Sequence, residues 1–167
     1  MPNWNENQVD VSGSKEDIRK FLELVTEKFD FNRIIPMPEE LEDFTSPVKI
    51  VSHEEFEQQE KEYKEWLTTP EDKRNPLFVR GMTQEMSDRF KKEYGADNWY
   101  NWCVGNWGVK WNSSDVSFDG GEDWLKFEFM TPWGPPEGIC SKLRELFPNV
   151  DISWFYKEPG AQLSGWF

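Results

Sequence analysis

The sequence predicts an α+β domain built on an antiparallel sheet. Three observations carry this: five stretches alternate apolar and polar residues, two amphipathic helical stretches are set among them, and a Gly-Gly turn joins two of the strands. In residues 7–12, Val9 and Val11 alternate with Gln8, Asp10 and Ser12, the period of a half-buried strand. Gly13 and Ser14 end it. Ser14 with Asp17 is a capping signal, and Ile18, Phe21, Leu22, Val25 and Phe29 follow at helical spacing.

Residues 30–50 carry Pro36, Pro38 and Pro47 and read as an irregular connection. Ser52 and Glu55 restart a helix with a thin apolar stripe of Phe56, Tyr63, Trp66 and Leu67, stopped by Pro70. A further helix is expected from Thr83 to Tyr94, with Gly95 as its stop. The aromatic stretch from Ala96 starts as a short helix. Asn106 to Asn112 then reads as extended, with Trp107, Val109 and Trp111 on one face and Lys110 on the other. Asp115 to Asp119 alternates through Val116 and Phe118, Asp119-Gly120-Gly121-Glu122 is a hairpin turn, and 124–130 returns with Leu125, Phe127 and Phe129 on one face. Pro135 and Pro136 suit a first helical turn, and Ile139, Leu143, Leu146 and Phe147 set that helix's apolar face. Val150, Ile152, Trp154 and Tyr156 alternate in a last strand, after which Glu158-Pro159-Gly160 turns the chain towards its end.

Strand, helix, long insertion, strand, strand, helix, strand is the ferredoxin-like, split βαβ order. The expected architecture is one domain over 1–167, with two helices on one face of the sheet and a mainly helical insertion at about 30–105.

The chain of 167 residues has 19 Lys and Arg against 32 Asp and Glu, a formal net charge of −13. That balance argues against a general nucleic-acid binder, which needs a basic face, and against docking on an anionic membrane surface. No apolar run approaches the roughly 20 residues that span a bilayer, and the opening residues lack a signal-peptide pattern. The two cysteines, Cys103 and Cys140, are isolated, which suits a reducing cytoplasm better than a disulfide framework. Aromatic residues reach 16%, with 10 Trp, so the chain is expected to fold and to bury most of its indoles.

No catalytic constellation emerges, and the balance is against an enzyme. His53 is the only histidine and reads as a solvated helix start. Asp115, Asp119, Glu122 and Asp123 match no calcium loop and read as a solvated turn. No phosphate-binding or dinucleotide glycine pattern occurs. No cofactor and no metal are expected. Glu57, Glu60 and Glu65 offer either a solvated helix face or an acidic surface for a basic partner. The densest constellation holds Trp99, Trp102, Asn106, Trp107, Lys110, Trp111 and Trp133. One reading is a buried network with Asn98, Asn101 and Asn106 as acceptors for indole N–H groups. The other is a cleft lined by Trp with Lys110 as its polar anchor.

Several segments together resemble a known family. They are the opening Met1-Pro2-Asn3-Trp4, Phe31 to Pro38, Tyr94 to Tyr100, Asn106-Trp107-Gly108 with Lys110-Trp111, Thr131 to Pro136, and Tyr156 with Glu158-Pro159-Gly160. In this order they resemble the YubB-like proteins of phages and plasmids, described as carrying a ferredoxin-like domain of unknown function. The resemblance implies a mobile-element protein in the cytoplasm of a bacterial host cell, and it supplies no activity. Relatives often carry a Cys where this chain has Asn5, and they continue past the point corresponding to Phe167, so a truncated or short end is expected.

Three functions remain in view. The first is a non-enzymatic acidic module that binds a host or defence protein. The second is a small-ligand or nucleotide pocket lined by Trp99, Trp107, Trp111, Trp133 and Lys110. The third is single-strand nucleic-acid binding on sheet aromatics, which the net charge opposes.

Overall fold

The structure, a computed structural model, describes residues 3–74 and 79–167. Met1 and Pro2 of the opening motif lie outside them. The chain divides into two compact units, Met1–Pro36 with Cys103–Phe167, and Met37–Trp102.

The first unit holds the sheet. Strand β1 spans Trp4–Ser12, and helix α1 (Lys15–Val25) begins at Ser14, whose side chain accepts from the Asp17 N–H. A short helix α2 covers Phe31–Ile34. Strands β2 (Ser114–Gly120) and β3 (Trp124–Pro132) form the hairpin, helix α6 covers Glu137–Leu146, and β4 runs Asp151–Glu158. A fifth strand, β5, Leu163–Trp166, pairs antiparallel with β4. The order is β2-β3-β1-β4-β5, with β1 antiparallel to both β3 and β4. This is the ferredoxin-like α+β arrangement with one added edge strand. The chain after Glu158 therefore does not simply run out. It turns back and lengthens the sheet, a pairing invisible in so short a segment.

Burial alternates along the strands, as the pleat requires. Val9, Val11, Leu125, Phe127, Phe129, Ile152 and Trp154 are buried, together with Ile18, Phe21 and Val25 of α1 and Ile139 and Leu143 of α6. These two helices cover one face. Leu146 is exposed, while Phe147 caps α6 and lies 5.0 Å from Phe21. Pro136 is the N-cap of α6 rather than part of its first turn. Phe29 was expected on α1, but the helix ends at Val25. Thr26 and Phe29 take φ of 58° and 48°, so the chain bends and Phe29 points into the core. There its ring centroid sits 4.8 Å from those of both Phe127 and Phe129 and 5.6 Å from Trp154. Burial of the ring offsets the cost of a left-handed backbone at a bulky residue.

The second unit holds helices α3 (His53–Thr68) and α4 (Gln84–Tyr94) and the start of α5 (Trp99–Trp107). Ser52 and Glu55 close a capping box on α3, and Thr83 caps α4. Just ahead of these helices the chain pairs with itself: Val51 N–H donates to the Met82 carbonyl and Met82 N–H to the Lys49 carbonyl. Leu41, Phe44, Val51, Met82 and Phe90 are buried in this unit.

Candidate functional site

The segment after α5 is not a strand. Trp107 is the last residue of the helix, and Gly108 follows at φ 88°. A Cβ on Gly108 would meet the Glu137 nitrogen at 3.0 Å, so both the backbone angle and the space require glycine. The turn drives Trp107 inward, 5% exposed, with its indole N–H donating to the Ile35 carbonyl at 2.9 Å. Val109 is buried as well. Asn112 fixes the far end. Its Oδ1 accepts from the Phe31 N–H at 2.9 Å, and its Nδ2 donates to Asp30 at 2.7 Å.

Held at both ends, the turn presents Lys110 and Trp111 outward. The Lys110 Nζ lies 3.9 Å from the ring centroid of Trp111 and 3.9 Å from that of Trp133. Trp111 is 42% and Trp133 54% exposed. Trp4, at the start of β1, approaches Trp111 with centroids 6.4 Å apart.

Trp133 owes its position to the loop after β3. Its φ is 68°, a left-handed value that costs a bulky side chain about 1–2 kcal/mol. Hydrogen bonds hold it there: Trp133 N–H donates to the Asn3 carbonyl at 2.8 Å, and the Thr131 hydroxyl donates to the Gly134 carbonyl at 2.7 Å. Thr131 Oγ1 in turn accepts from Asn7 at 2.8 Å and from Asn5 at 3.4 Å, and Asn7 Oδ1 accepts the Trp154 indole N–H at 3.1 Å. Asn5, Asn7 and Thr131 are all buried. With the single Thr131 proton committed to Gly134, the Asn5 Oδ1 has no donor among the described residues. The polar network thus stands under the loop, and it indexes Asn5 and Asn7 rather than the asparagines of α5.

The other sequence-nominated residues fall elsewhere. Trp102 is 5% exposed and belongs to the second unit. Trp99, also there, meets Tyr100 edge-on at 5.8 Å, and its N–H donates to the Phe44 carbonyl. Asn98 caps α5 by accepting from the Asn101 N–H at 2.9 Å. Asn106 is half-buried, and a Cβ on Gly138 would come 1.9 Å from its carbonyl oxygen, so α5 and α6 meet backbone to backbone. Glu57 and Glu65 are exposed on α3, whereas Glu60 is half-buried and ion-paired with Arg80. Trp4 was not among the nominated residues. Extending the β1 alternation back from residue 7 by three positions places it on the Gln8 side of the strand.

A second cation sandwich lies within the other unit. The Arg80 guanidinium lies 4.9 Å from the Phe44 ring and 4.7 Å from the Tyr63 ring. It bonds Asp43 at 2.6 Å and also Glu60. The Tyr63 hydroxyl donates to Asp43 at 2.6 Å, and burial, reinforced by that bond, pushes its pKa up to about 12.

Several other groups are structural. Ser87, Lys91 and Asn98 converge on the Asp97 carboxylate; burial works against ionisation there, but these hydrogen bonds outweigh it and hold the pKa below the usual range. Burial pushes the Cys103 thiol up to about 11 and raises Cys140 too, which makes both poor nucleophiles. His53 is exposed in the first turn of α3. Among the described residues, no three His, Cys, Asp or Glu side chains are grouped to hold a metal ion, and no helix is long and apolar enough to cross a membrane.

The face of the sheet opposite the core helices is exposed at Asp10, Ser117, Asp119, Glu128 and Lys157. Register puts Gln8 between Glu128 and Phe155, Glu6 between Met130 and Lys157, and Asp10 between Lys126 and Ser153. Ser117 and Asp119 extend these rows on β2, and Trp166 extends them on β5, its ring 5.0 Å from that of Phe155. Asp115, at φ 50° in the irregular stretch of β2, joins Glu6, Gln8, Ser117, Glu128 and Met130 around a groove of about 410 Å³. Both lysines of this face are ion-paired, Lys157 with Glu6 at 2.8 Å and Lys126 with Glu128 at 3.1 Å.

Comparisons with known proteins fit this architecture. No curated protein matches the chain. The crystal structure of the protein Api92 from Yersinia pseudotuberculosis superposes with a TM-score of 0.53, covering 99% of this chain and 93% of that one at 12% identity, a likeness of fold. Residues 106–166 match the family model described as the ferredoxin-like domain in Api92-like protein. From the end of α5 to β5, therefore, the chain carries a ferredoxin-like domain similar to that of the Api92-like proteins, a group without an assigned activity.

Proposed function

We propose that the protein is a non-enzymatic binding module whose exposed sheet face takes a basic segment of another protein. The observation that carries this reading is the charge of that face. Glu6, Asp10, Asp115, Asp119 and Glu128 stand against two lysines that are already paired within the face. Met130, Phe155 and Trp166 supply apolar contact among them. An acidic face with an apolar strip attracts a Lys- or Arg-bearing segment and repels phosphate backbones, which opposes the single-strand nucleic-acid reading. In the bacterial cytoplasm that the family resemblance implies, the partner is a host or defence protein whose basic surface this face would occupy.

The test is capture from nuclease-treated host lysate, identified by mass spectrometry, with the wild type and an Asp10→Lys, Asp115→Lys, Glu128→Lys triple variant. The expected result is a basic protein retained by the wild type, weakened by salt and lost by the triple variant. Retention by the triple variant with unchanged salt dependence would refute the reading. Glu57→Lys with Glu65→Lys tests the exposed carboxylates of α3 as the rival acidic surface.

A further inference from the structure

Lys110 and Arg80 are both cations between aromatic rings, and among the described residues only Arg80 meets carboxylates. Arg80 has Asp43 and Glu60. Lys110 has two indole faces at 3.9 Å, and among the described residues no carboxylate pairs with it and no acceptor takes a hydrogen bond from its ammonium. An ammonium pressed against two π faces gives up part of its hydration while its N–H groups still need acceptors. The rings that hold it are 42% and 54% exposed, and one of them stands on a strained backbone pinned by Asn3 and Thr131. Strain of this kind concentrates at ligand clamps.

We propose that Lys110, Trp111 and Trp133, with Trp4 beside Trp111, form a binding site for a carboxylate carried next to an aromatic group. The ammonium supplies the charge-assisted hydrogen bond, and the exposed indole surfaces supply stacking for the flat group. A single carboxylate fits better than a polyphosphate. The chain's −13 charge repels polyanions, and Lys110 offers one point charge without an arginine fork. The groove on the sheet face is not lined by Lys110, Trp111 or Trp133, and the gap between the two rings is filled by the lysine itself. The ligand therefore lies across an open patch. Its carboxylate comes either from a chain terminus or from an Asp or Glu side chain beside an aromatic residue. Lys110, Trp111 and Trp133 lie outside the acidic sheet face; Trp4 stands on the same side of β1 as Glu6 and Gln8, and the charge-reversal variant above leaves it intact.

The experiment is a ¹⁵N–¹H titration that follows the indole N–H signals, assigned by single Trp→Phe substitutions. The probes are N-acetyl-tryptophan, its uncharged amide, and the dipeptide acetyl-Glu-Trp-amide. A carboxylate probe should move the Trp111 and Trp133 signals saturably in the millimolar range. The uncharged amide should bind at least about threefold more weakly than the better acid, the scale of one exposed charge contact. Stronger binding of N-acetyl-tryptophan names a terminal carboxylate as the ligand group, and stronger binding of the dipeptide names a side-chain carboxylate. Lys110→Gln should erase the difference between acid and amide, while Lys110→Arg should keep it. Unperturbed Trp102, Trp107 and Trp154 signals confirm that each variant is folded. Equal binding of acid and amide by the wild type, a preference that survives Lys110→Gln, or no saturable shift at Trp111 and Trp133 with any probe would overturn the proposal.

Discussion

The two cation sandwiches differ in what completes them. Arg80 is folded into its unit. Its side chain is 16% exposed, two rings flank it, two carboxylates meet its fork, and Tyr63 donates to one of those carboxylates. Lys110 has the rings without a carboxylate among the described residues, and its rings face water. The difference separates an interaction that holds a fold from one that is presented outward. The Arg80 cluster satisfies its own charge, so its loss falls on stability. The Lys110 cluster leaves charge and apolar surface unmet, so its loss falls on binding.

Three substitutions test that contrast. The largest effect is expected from Arg80→Ala, which strands Asp43 and Glu60. The cost should be about 2 kcal/mol, below the ~3–5 kcal/mol of a fully buried pair because both carboxylates keep part of their hydration. Denaturant unfolding reads it, and an unchanged midpoint would remove the structural role.

Next comes Tyr63→Phe, which deletes the hydroxyl donated to Asp43 and should cost about 1 kcal/mol at neutral pH. The sign of its pH dependence follows from the raised pKa. The Tyr63 hydroxyl is favoured in its protonated form in the folded state, so its contribution is whole below pH 10 and fades as pH climbs through about 12. The gap between wild type and variant should therefore narrow over that window. A gap that widened would contradict the assignment.

Smallest is Lys110→Ala, expected to lower stability by only about 0.5 kcal/mol, because an exposed cation–π contact contributes little. A loss comparable to that of Arg80→Ala would make the Lys110 cluster a structural clasp and collapse the comparison.

Much of the sheet could be read from alternation. Val9 and Val11, Leu125 through Phe129, and Ile152 with Trp154 mark their buried face because the pleat sends every second side chain inward. Caps were equally legible at Ser14 and Ser52, where a short polar side chain meets the free N–H groups of a helix start, whereas Thr83, expected as the first helical residue, is the N-cap of α4. β5 was not legible, since four residues acquire strand geometry only from their pairing with β4. The strand expected at 106–112 failed for a related reason. Its alternation holds for Trp107 and Val109, but helix α5 and the Gly108 turn set their directions, not a pleat.

The candidate site divides along the same line. By itself the sequence determined the inventory: an acidic chain, an α+β order of elements, and Lys110 set among tryptophans. It could not decide which tryptophans would be core, because Trp107 and Trp111 are chemically identical and differ only in what packs on them. Tertiary structure decided that. It gave the Trp107 indole the Ile35 carbonyl, turned Lys110 and Trp111 outward past Gly108, and brought Trp133 to the other side of the lysine from a loop more than twenty residues away. Local propensity acts over a few residues, whereas burial and cation–π contact depend on distances in space that only the closed sheet sets.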